Sequence, residues 1–175
     1  CIYTDRQLFE TYSVYYKIFF NLMIKGLDKV ICTTNINKEQ WKKHTKVKHI
    51  ECVSNVLDEK WYTYDKTNER KVDKDKIIIG FAARFDAYKR WDTVKSICKK
   101  LKDNEKIKFS FCIAAGTEKI KEEAQIYIKE IKEMLGDKVT IKLNASMDEM
   151  EEFYYNIDIF VLTSEGESFG RTLIE

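Results

Sequence analysis

From residue 77 onward the chain alternates between short apolar runs and longer segments whose apolar residues recur at helical spacing. The apolar runs cover 77–84, 107–115 and 158–164, with a further strand expected at 139–143; Gly116 ends the second run, and Asp158 and the hydroxyls of Thr163 and Ser164 bound the last. Continuous apolar runs of that length read as strands buried on both faces. Between them, Val94, Ile97, Cys98 and Leu101 share one helical face, and Ala124, Ile128, Ile131 and Leu135 share another that stops at Gly136. Ser146 and Glu149 have capping-box spacing ahead of a helix carrying Met147, Met150 and Tyr154. Repeated strand-helix order of this kind predicts a parallel α/β sheet with helices on both faces. No sequence repeat underlies it.

The ends of these strands carry the candidate chemistry. Asp158-Ile159-Phe160-Val161-Leu162-Thr163-Ser164 leads into Glu165-Gly166-Glu167-Ser168-Phe169-Gly170, and Glu175 follows Glu167 by eight positions. A strand, a glycine turn and a helix start place ligands beyond the carboxyl end of the sheet, where helix N-terminal amides attract anions. Glu167 then lies at the crevice mouth, and Glu175, on the next helix, can accept hydrogen bonds from a diol such as ribose. A second cluster follows the run 77–84: Arg84 is delivered to a loop, and Lys89 is expected to begin the next helix. Arg and Lys aimed at a departing diphosphate stabilise the charge that develops on its oxygens, as a metal ion would.

The tail resembles the donor-binding motif of family 4 glycosyltransferases, retaining enzymes of the GT-B fold with a signature of Glu, seven residues, Glu. Glu167 and Glu175 match that signature, and Arg84 and Lys89 match the family's arginine and lysine after the first strand of the C-terminal domain. The resemblance implies that Arg84 and Lys89 bind and stabilise the leaving diphosphate. It implies that Glu167, with Ser168, Phe169 and Gly170, contacts the transferred sugar and that Glu175 holds the ribose. Arg84, Lys89 and Glu167 are thus the expected catalytic residues, with Glu167 orienting sugar hydroxyls rather than attacking. Lys89-Arg90 departs from the commoner lysine-glycine pair and alters how the next helix approaches the phosphates. The expected fold is a Rossmann-like, GT-B glycosyltransferase architecture, mostly the C-terminal donor-binding domain and truncated at both ends.

Earlier in the chain, residues 8–25 are rich in Phe, Tyr, Ile and Leu, carry Glu10 and Lys17, and lead to Gly26. They predict a helix that is too short and too charged to span a bilayer. A buried position is expected for it in preference to one lying on a membrane. Residues 29–34 and 50–53 read as strands, with a polar-faced helix over 39–44 between them. Ser54-Asn55-Val56-Leu57-Asp58 resembles the family's interdomain connection, with Val56 in place of glycine. The expected division is 1–56 as the end of the N-terminal, acceptor-side domain, 57–75 as a linker, and 76–175 as a partial nucleotide-sugar-binding domain. Asp73-Lys74-Asp75 has the Asp-x-Asp form of a metal motif but precedes a strand inside a charge run, and so is set aside.

Net charge is +2 with both signs interspersed, which gives no support for a nucleic-acid surface. Five cysteines, Cys1, Cys32, Cys52, Cys98 and Cys112, lack paired metal spacing and read as reduced residues of a cytosolic protein. His44 and His49 match no family position and read as surface residues. Taken together, the expectation is metal-independent transfer of a sugar, with retention, from a nucleotide-sugar donor to a glycan or lipid-linked acceptor. No cofactor is expected beyond the donor substrate. The resemblance implies a role in cell-surface polysaccharide or glycolipid synthesis and a cytoplasmic location, with peripheral association at the inner face of the membrane. The segment alone is expected to be inactive. The alternatives are a noncatalytic sugar-nucleotide-binding regulator and a sugar-nucleotide epimerase of similar fold.

Overall fold

The computed structural model describes residues 1–57, 59–61, 75–167 and 169–175. Most of the expected linker, the Asp73-Lys74 part of the Asp-x-Asp run, and Ser168 lie outside the described residues. The chain divides into two compact units, one of residues 1–62 and 166–174 and one of residues 63–165 with Glu175.

In the first unit, three parallel strands, β1 (Ile2–Asp5), β2 (Lys29–Cys32) and β3 (Ile50–Cys52), lie in that order. Two helices connect them, α1 (Val14–Met23) and α2 (Asn35–His44). Thr34 caps α2 by accepting a hydrogen bond from the Asn37 amide. The core is aromatic: Phe9, Phe20 and Trp41 pack with Val30 and Cys32, and the Phe9 and Trp41 rings meet edge to face at 4.8 Å.

Asp5, only 1% exposed, ends β1 inside this core. Its carboxylate accepts from Tyr12 Oη at 2.6 Å, Trp41 Nε1 at 2.5 Å, Asn37 Nδ2 at 3.2 Å and the Gln7 amide at 3.1 Å. Four donors drawn from the loop after β1 and from α2 offset the cost of burying a charge. Burial, and then the bond to Asp5, raises the Tyr12 phenol far above its ordinary pKa.

The run 8–25 differs from the single buried helix expected of it. A 3-10 turn over Phe9–Thr11 precedes α1, which starts after Ser13, and a second 3-10 turn, Ile24–Gly26, follows it. Phe20 is the one buried residue of α1, whereas Tyr15 is 85% and Leu22 74% exposed. The segment is apolar nearly all round, so its periodicity could not tell which face meets the sheet.

The second unit holds a four-stranded parallel sheet in the order β6-β5-β4-β7. Its strands are β4 (Ile77–Arg84), β5 (Ile107–Ala114), β6 (Val139–Leu143) and β7 (Ile159–Phe160), joined by α3 (Trp91–Leu101), α4 (Glu118–Leu135) and α5 (Met147–Asn156). The stretch 166–174, which groups with the first unit, forms one short helix, α6 (Arg171–Ile174). The expected strand 158–164 pairs as a strand only at its start, although Asp158 and Val161 still donate backbone bonds to Ile78 and Gly80 of β4.

Alternate residues of the sheet feed two cores. Ile79, Phe81, Phe109, Phe111 and Ile113 pack with Trp91, Val94 and Cys98 of α3 and with Ala124, Tyr127, Ile131 and Leu135 of α4. Ala82 and Cys112, of the opposite parity, pack with Phe153 of α5. The stripes expected on α3 and α4 are therefore the packed faces, with Tyr127 an additional buried member. Ser146 and Glu149 form the expected capping box of α5, each bonding the other's backbone N–H.

Gly80 sets how closely α5 approaches the sheet. A Cβ at this position would lie 2.7 Å from two carbons of Ile157 and 3.0 Å from Phe153 Cζ. Gly80→Ala should therefore lower unfolding stability by roughly 1–3 kcal/mol through overpacking, a loss that urea denaturation followed by circular dichroism measures.

Burial also governs the thiols. It pushes Cys98 up to about 12, Cys32 to about 12 and Cys112 to about 11. Unfolded thiols ionise near pH 8.5, so these three hold their protons more tightly when folded. Their contribution to stability is full below that pH and is lost as pH rises towards 11–12. At pH 8, iodoacetamide should label exposed Cys1 readily and leave Cys32, Cys98 and Cys112 unlabelled until the protein unfolds. Mass spectrometry of the native and urea-unfolded protein tests this.

Candidate functional site

The strand order of the second unit creates a switch point. From β4 the chain moves outward through β5 to β6, and α5 then carries it back to place β7 on the other side of β4. The strand order reverses between β4 and β7, and open parallel sheets bind ligands beyond the carboxyl ends of the strands at such a point. The loops of the two strands meet there.

Arg84 is the last residue of β4, and its guanidinium, 79% exposed, lies 3.6 Å from Asp86 Oδ2. The backbone beneath it is fixed by aromatic residues. Trp91 Nε1 donates to the Arg84 carbonyl at 2.9 Å, and Tyr127 Oη donates to the Trp91 carbonyl at 3.1 Å. The Trp91 ring lies against Phe85, Phe111 and Tyr127, with centroids 5.8, 6.3 and 5.6 Å away. Burial raises the Tyr127 phenol well above its ordinary pKa, so it stays protonated as a donor.

Lys89 does not start a helix, contrary to the sequence expectation. It ends a 3-10 turn, Ala87–Lys89, and Arg90 follows in the left-handed region at φ 53° before α3 begins at Trp91. Arg90 stands where the family's commoner pattern has glycine, and its positive φ supplies the reason for that preference. The left-handed residue turns the chain from the 3-10 turn into α3 and separates Lys89 from the helix N-terminus.

The loop after β7 holds this turn from the other side. Thr163 Oγ1 donates to the Lys89 carbonyl at 2.7 Å, the Glu165 amide donates to the Tyr88 carbonyl at 2.9 Å, and Lys89 Nζ donates to Ser164 Oγ at 3.3 Å. Nothing local in the sequence links Thr163 and Ser164 to Lys89, because the residues lie so far apart in the chain.

A similar device joins the loops after β5 and β6. Asn144, at φ 55°, accepts from the Ala115 amide through Oδ1 at 2.7 Å and donates through Nδ2 to the Ala115 carbonyl at 3.2 Å. Its own amide donates to the Ile113 carbonyl at 2.7 Å. Asparagine suits the position because it tolerates left-handed backbone and its side-chain amide can pair with both the N–H and the C=O of one residue. On the β5 side, Thr117 caps α4 by accepting from the Ile120 amide.

Of the tail residues, Glu167, Phe169 and Gly170 fall in the stretch that groups with the first unit, and Glu175 falls in the second. In the expected glycine turn ahead of α6, Gly170 has φ 70°, in the left-handed region, and its carbonyl accepts from the Leu173 amide. Glu175 Oε2 accepts from Tyr154 Oη of α5 at 3.2 Å. His44 and His49 are exposed as expected, and His44 stacks on Phe9 and lies 3.4 Å from Glu10. Among the described residues, no three His, Cys, Asp or Glu side chains group as metal ligands would, and no helix is long and apolar enough to cross a membrane.

The glycosyl transferases group 1 family matches residues 65–175, from ahead of β4 to the last glutamate. The chain belongs to that family. The match takes in Arg84, Lys89, Glu167 and Glu175 together. No curated protein sequence matches the chain. Solved structures of glycosyltransferases share its fold. HepE of Anabaena in complex with UDP-glucose superposes with a TM-score of 0.73 at 14% identity, covering 98% of this chain and 49% of that one. TarM gives 0.67 at 17% identity, covering 98% and 33%. The pneumococcal O-GlcNAc transferase GtfA, in complex with UDP and GlcNAc, gives 0.57 at 18% identity, covering 89% and 30%. The chain thus spans 30–49% of the length of these structures, and the architecture is that of GT-B glycosyltransferases.

Asn144 provides a test of how the β5 and β6 loops are held. Asn144→Gly keeps the backbone relaxed and loses only the side-chain bonds, which should cost about 1 kcal/mol. Asn144→Ala adds left-handed strain and should cost about 2–3 kcal/mol in total. Chemical denaturation of both variants distinguishes the two contributions.

Proposed function

We propose that this chain carries the donor-binding part of a retaining, family 4 glycosyltransferase that transfers a sugar from a nucleoside-diphosphate donor to an acceptor hydroxyl. The observation that carries the reading is the Arg84 and Lys89 loop at the β4/β7 switch point, in a chain that belongs to the glycosyl transferases group 1. Two cations on one short loop, one at a strand end and one on a turn tied to the neighbouring loop, suit a diphosphate. As the glycosidic bond to the diphosphate breaks, negative charge accumulates on the leaving oxygens. Fixed cations there stabilise the transition state more than the ground state.

In this reading Arg84 and Lys89 supply the charge stabilisation of the leaving group, and the reaction is metal-independent. Glu167 orients the hydroxyls of the transferred sugar, with Ser168, Phe169 and Gly170 around it, and Glu175 accepts from the ribose diol. Tyr154, which donates to Glu175, would orient that carboxylate. Residues 1–56 belong to the acceptor-side domain, 57–75 to the linker and 76–175 to the donor domain. That HepE is described with UDP-glucose, and GtfA with UDP and GlcNAc, supports a nucleotide-sugar donor class for a chain of this fold. The acceptor we propose is a glycan or lipid-linked hydroxyl in cell-surface polysaccharide or glycolipid synthesis. The enzyme would work in the cytoplasm, peripherally at the inner face of the membrane.

The test is calorimetric and thermal-shift binding of UDP, GDP and ADP, with their common sugars, in excess chelator. One diphosphate should bind selectively, its binding should survive chelation, and Arg84→Ala should abolish it. In the complete enzyme, Arg84→Ala and Lys89→Ala should each lower turnover by about 100-fold or more. Normal turnover in both variants would remove the clamp.

A further inference from the structure

The turn that carries Lys89 is too weak to place it unaided. It has three residues of 3-10 geometry and no side-chain cap, and its closing backbone bonds, Lys89 N to Asp86 O and Arg90 N to Ala87 O, are 3.1 and 3.2 Å long. Short 3-10 pieces have poor hydrogen-bond geometry and depend on their surroundings. The surroundings here come from the loop after β7. Thr163 donates its hydroxyl to the Lys89 carbonyl at 2.7 Å, Glu165 donates its amide to the Tyr88 carbonyl at 2.9 Å, and Ser164 accepts from the Lys89 ammonium at 3.3 Å.

We infer that Thr163 and Ser164 are positioning residues for Lys89, so that the loop after β7 sets where the lysine of the diphosphate clamp points. The inference rests on the reading of Lys89 as a phosphate ligand and extends it to two hydroxyl residues that do not themselves need to touch the donor. Their roles differ. Thr163 fixes the backbone: its bond to the carbonyl holds the peptide plane from which the Lys89 side chain departs. Ser164 acts at the tip, where its hydroxyl oxygen accepts from the Lys89 ammonium at 3.3 Å.

The pairing is enforced by the fold. Thr163 and Ser164 lie immediately beyond β7, whose register on β4 is Ile79 with Ile159 and Gly80 with Phe160. Val161 donates to the Gly80 carbonyl, so the chain leaves the sheet beside the end of β4. The hydroxyl pair therefore meets the turn whenever β7 docks in register.

The experiment measures binding to the chain of whichever of UDP, GDP and ADP binds most tightly, alongside its matching nucleoside. The proteins are the wild type, Thr163→Val, Thr163→Ser, Ser164→Ala, Lys89→Ala and the Lys89→Ala/Thr163→Val double variant, with melting temperature as the control for folding. Thr163→Val and Ser164→Ala should each weaken diphosphate binding about tenfold and leave nucleoside binding unchanged. Thr163→Ser, which keeps the hydroxyl, should restore binding. The double variant should bind no more weakly than Lys89→Ala alone, because the hydroxyl acts through the lysine.

Additive losses in the double variant, or equal weakening of nucleoside and diphosphate by Thr163→Val, would make the hydroxyl merely structural and overturn the inference. Full diphosphate affinity in Thr163→Val and Ser164→Ala, with loss in Lys89→Ala, would overturn it while leaving the clamp in place. Unchanged binding in Lys89→Ala, or no diphosphate binding by the folded wild type, would remove the clamp reading and this inference with it.

Discussion

Parallel pairing of β7 with β4 is the constraint on which the candidate site depends. The contact is short, with two residue pairs in strand register and flanking bonds from Asp158 and Val161. Asp158 reinforces it, because its carboxylate accepts from the Ile78 amide at 2.7 Å while its own amide donates to the Ile78 carbonyl. Since β4 also pairs with β5 along its whole length, this one junction converts a sheet that grows in one direction into one with a switch point. The loops carrying Lys89 and Ser164 are neighbours only because that junction exists.

The close approach of α5 belongs to the same constraint. The helix crosses from β6 to β7 over the face of the sheet where Gly80, Ala82 and Cys112 present small side chains or none. A larger residue at Gly80 would lift Phe153 and Ile157 and with them the start of β7. Small residues on one face and Phe81, Phe109 and Phe111 on the other give the sheet a thin side and a thick side. The thick side receives two helices and the Trp91 and Tyr127 pair that supports Arg84, so core packing and site geometry share residues.

The first unit solves a different problem. Its sheet has three short strands, and its polar centre is one buried carboxylate whose donors come from the loop after β1 and from α2. Asp5 thereby ties the loop after β1 to α2 more specifically than the surrounding aromatic contacts can. Removing one partner would leave a buried charge or donor unsatisfied, which costs more than the bond itself contributes.

Residue order by itself determined the α/β class, the positions of β4, β5 and β6, the packed stripes of α3 and α4 and the capping box at Ser146, because periodicity and local capping chemistry are properties of adjacent residues. It also supplied a resemblance whose coarser form, membership of the glycosyl transferases group 1, the family match over residues 65–175 shows. It misjudged the segment that became α1, where apolar residues on all sides left no face to choose, and the start of α3, where Arg90 in a left-handed conformation ends one turn and begins another. Only tertiary structure decided that Thr163 and Ser164 serve Lys89, that Asn144 pairs with Ala115, and that Tyr154 reaches Glu175. Those partnerships follow from strand order and register, which join residues remote in the chain, and no local pattern encodes them.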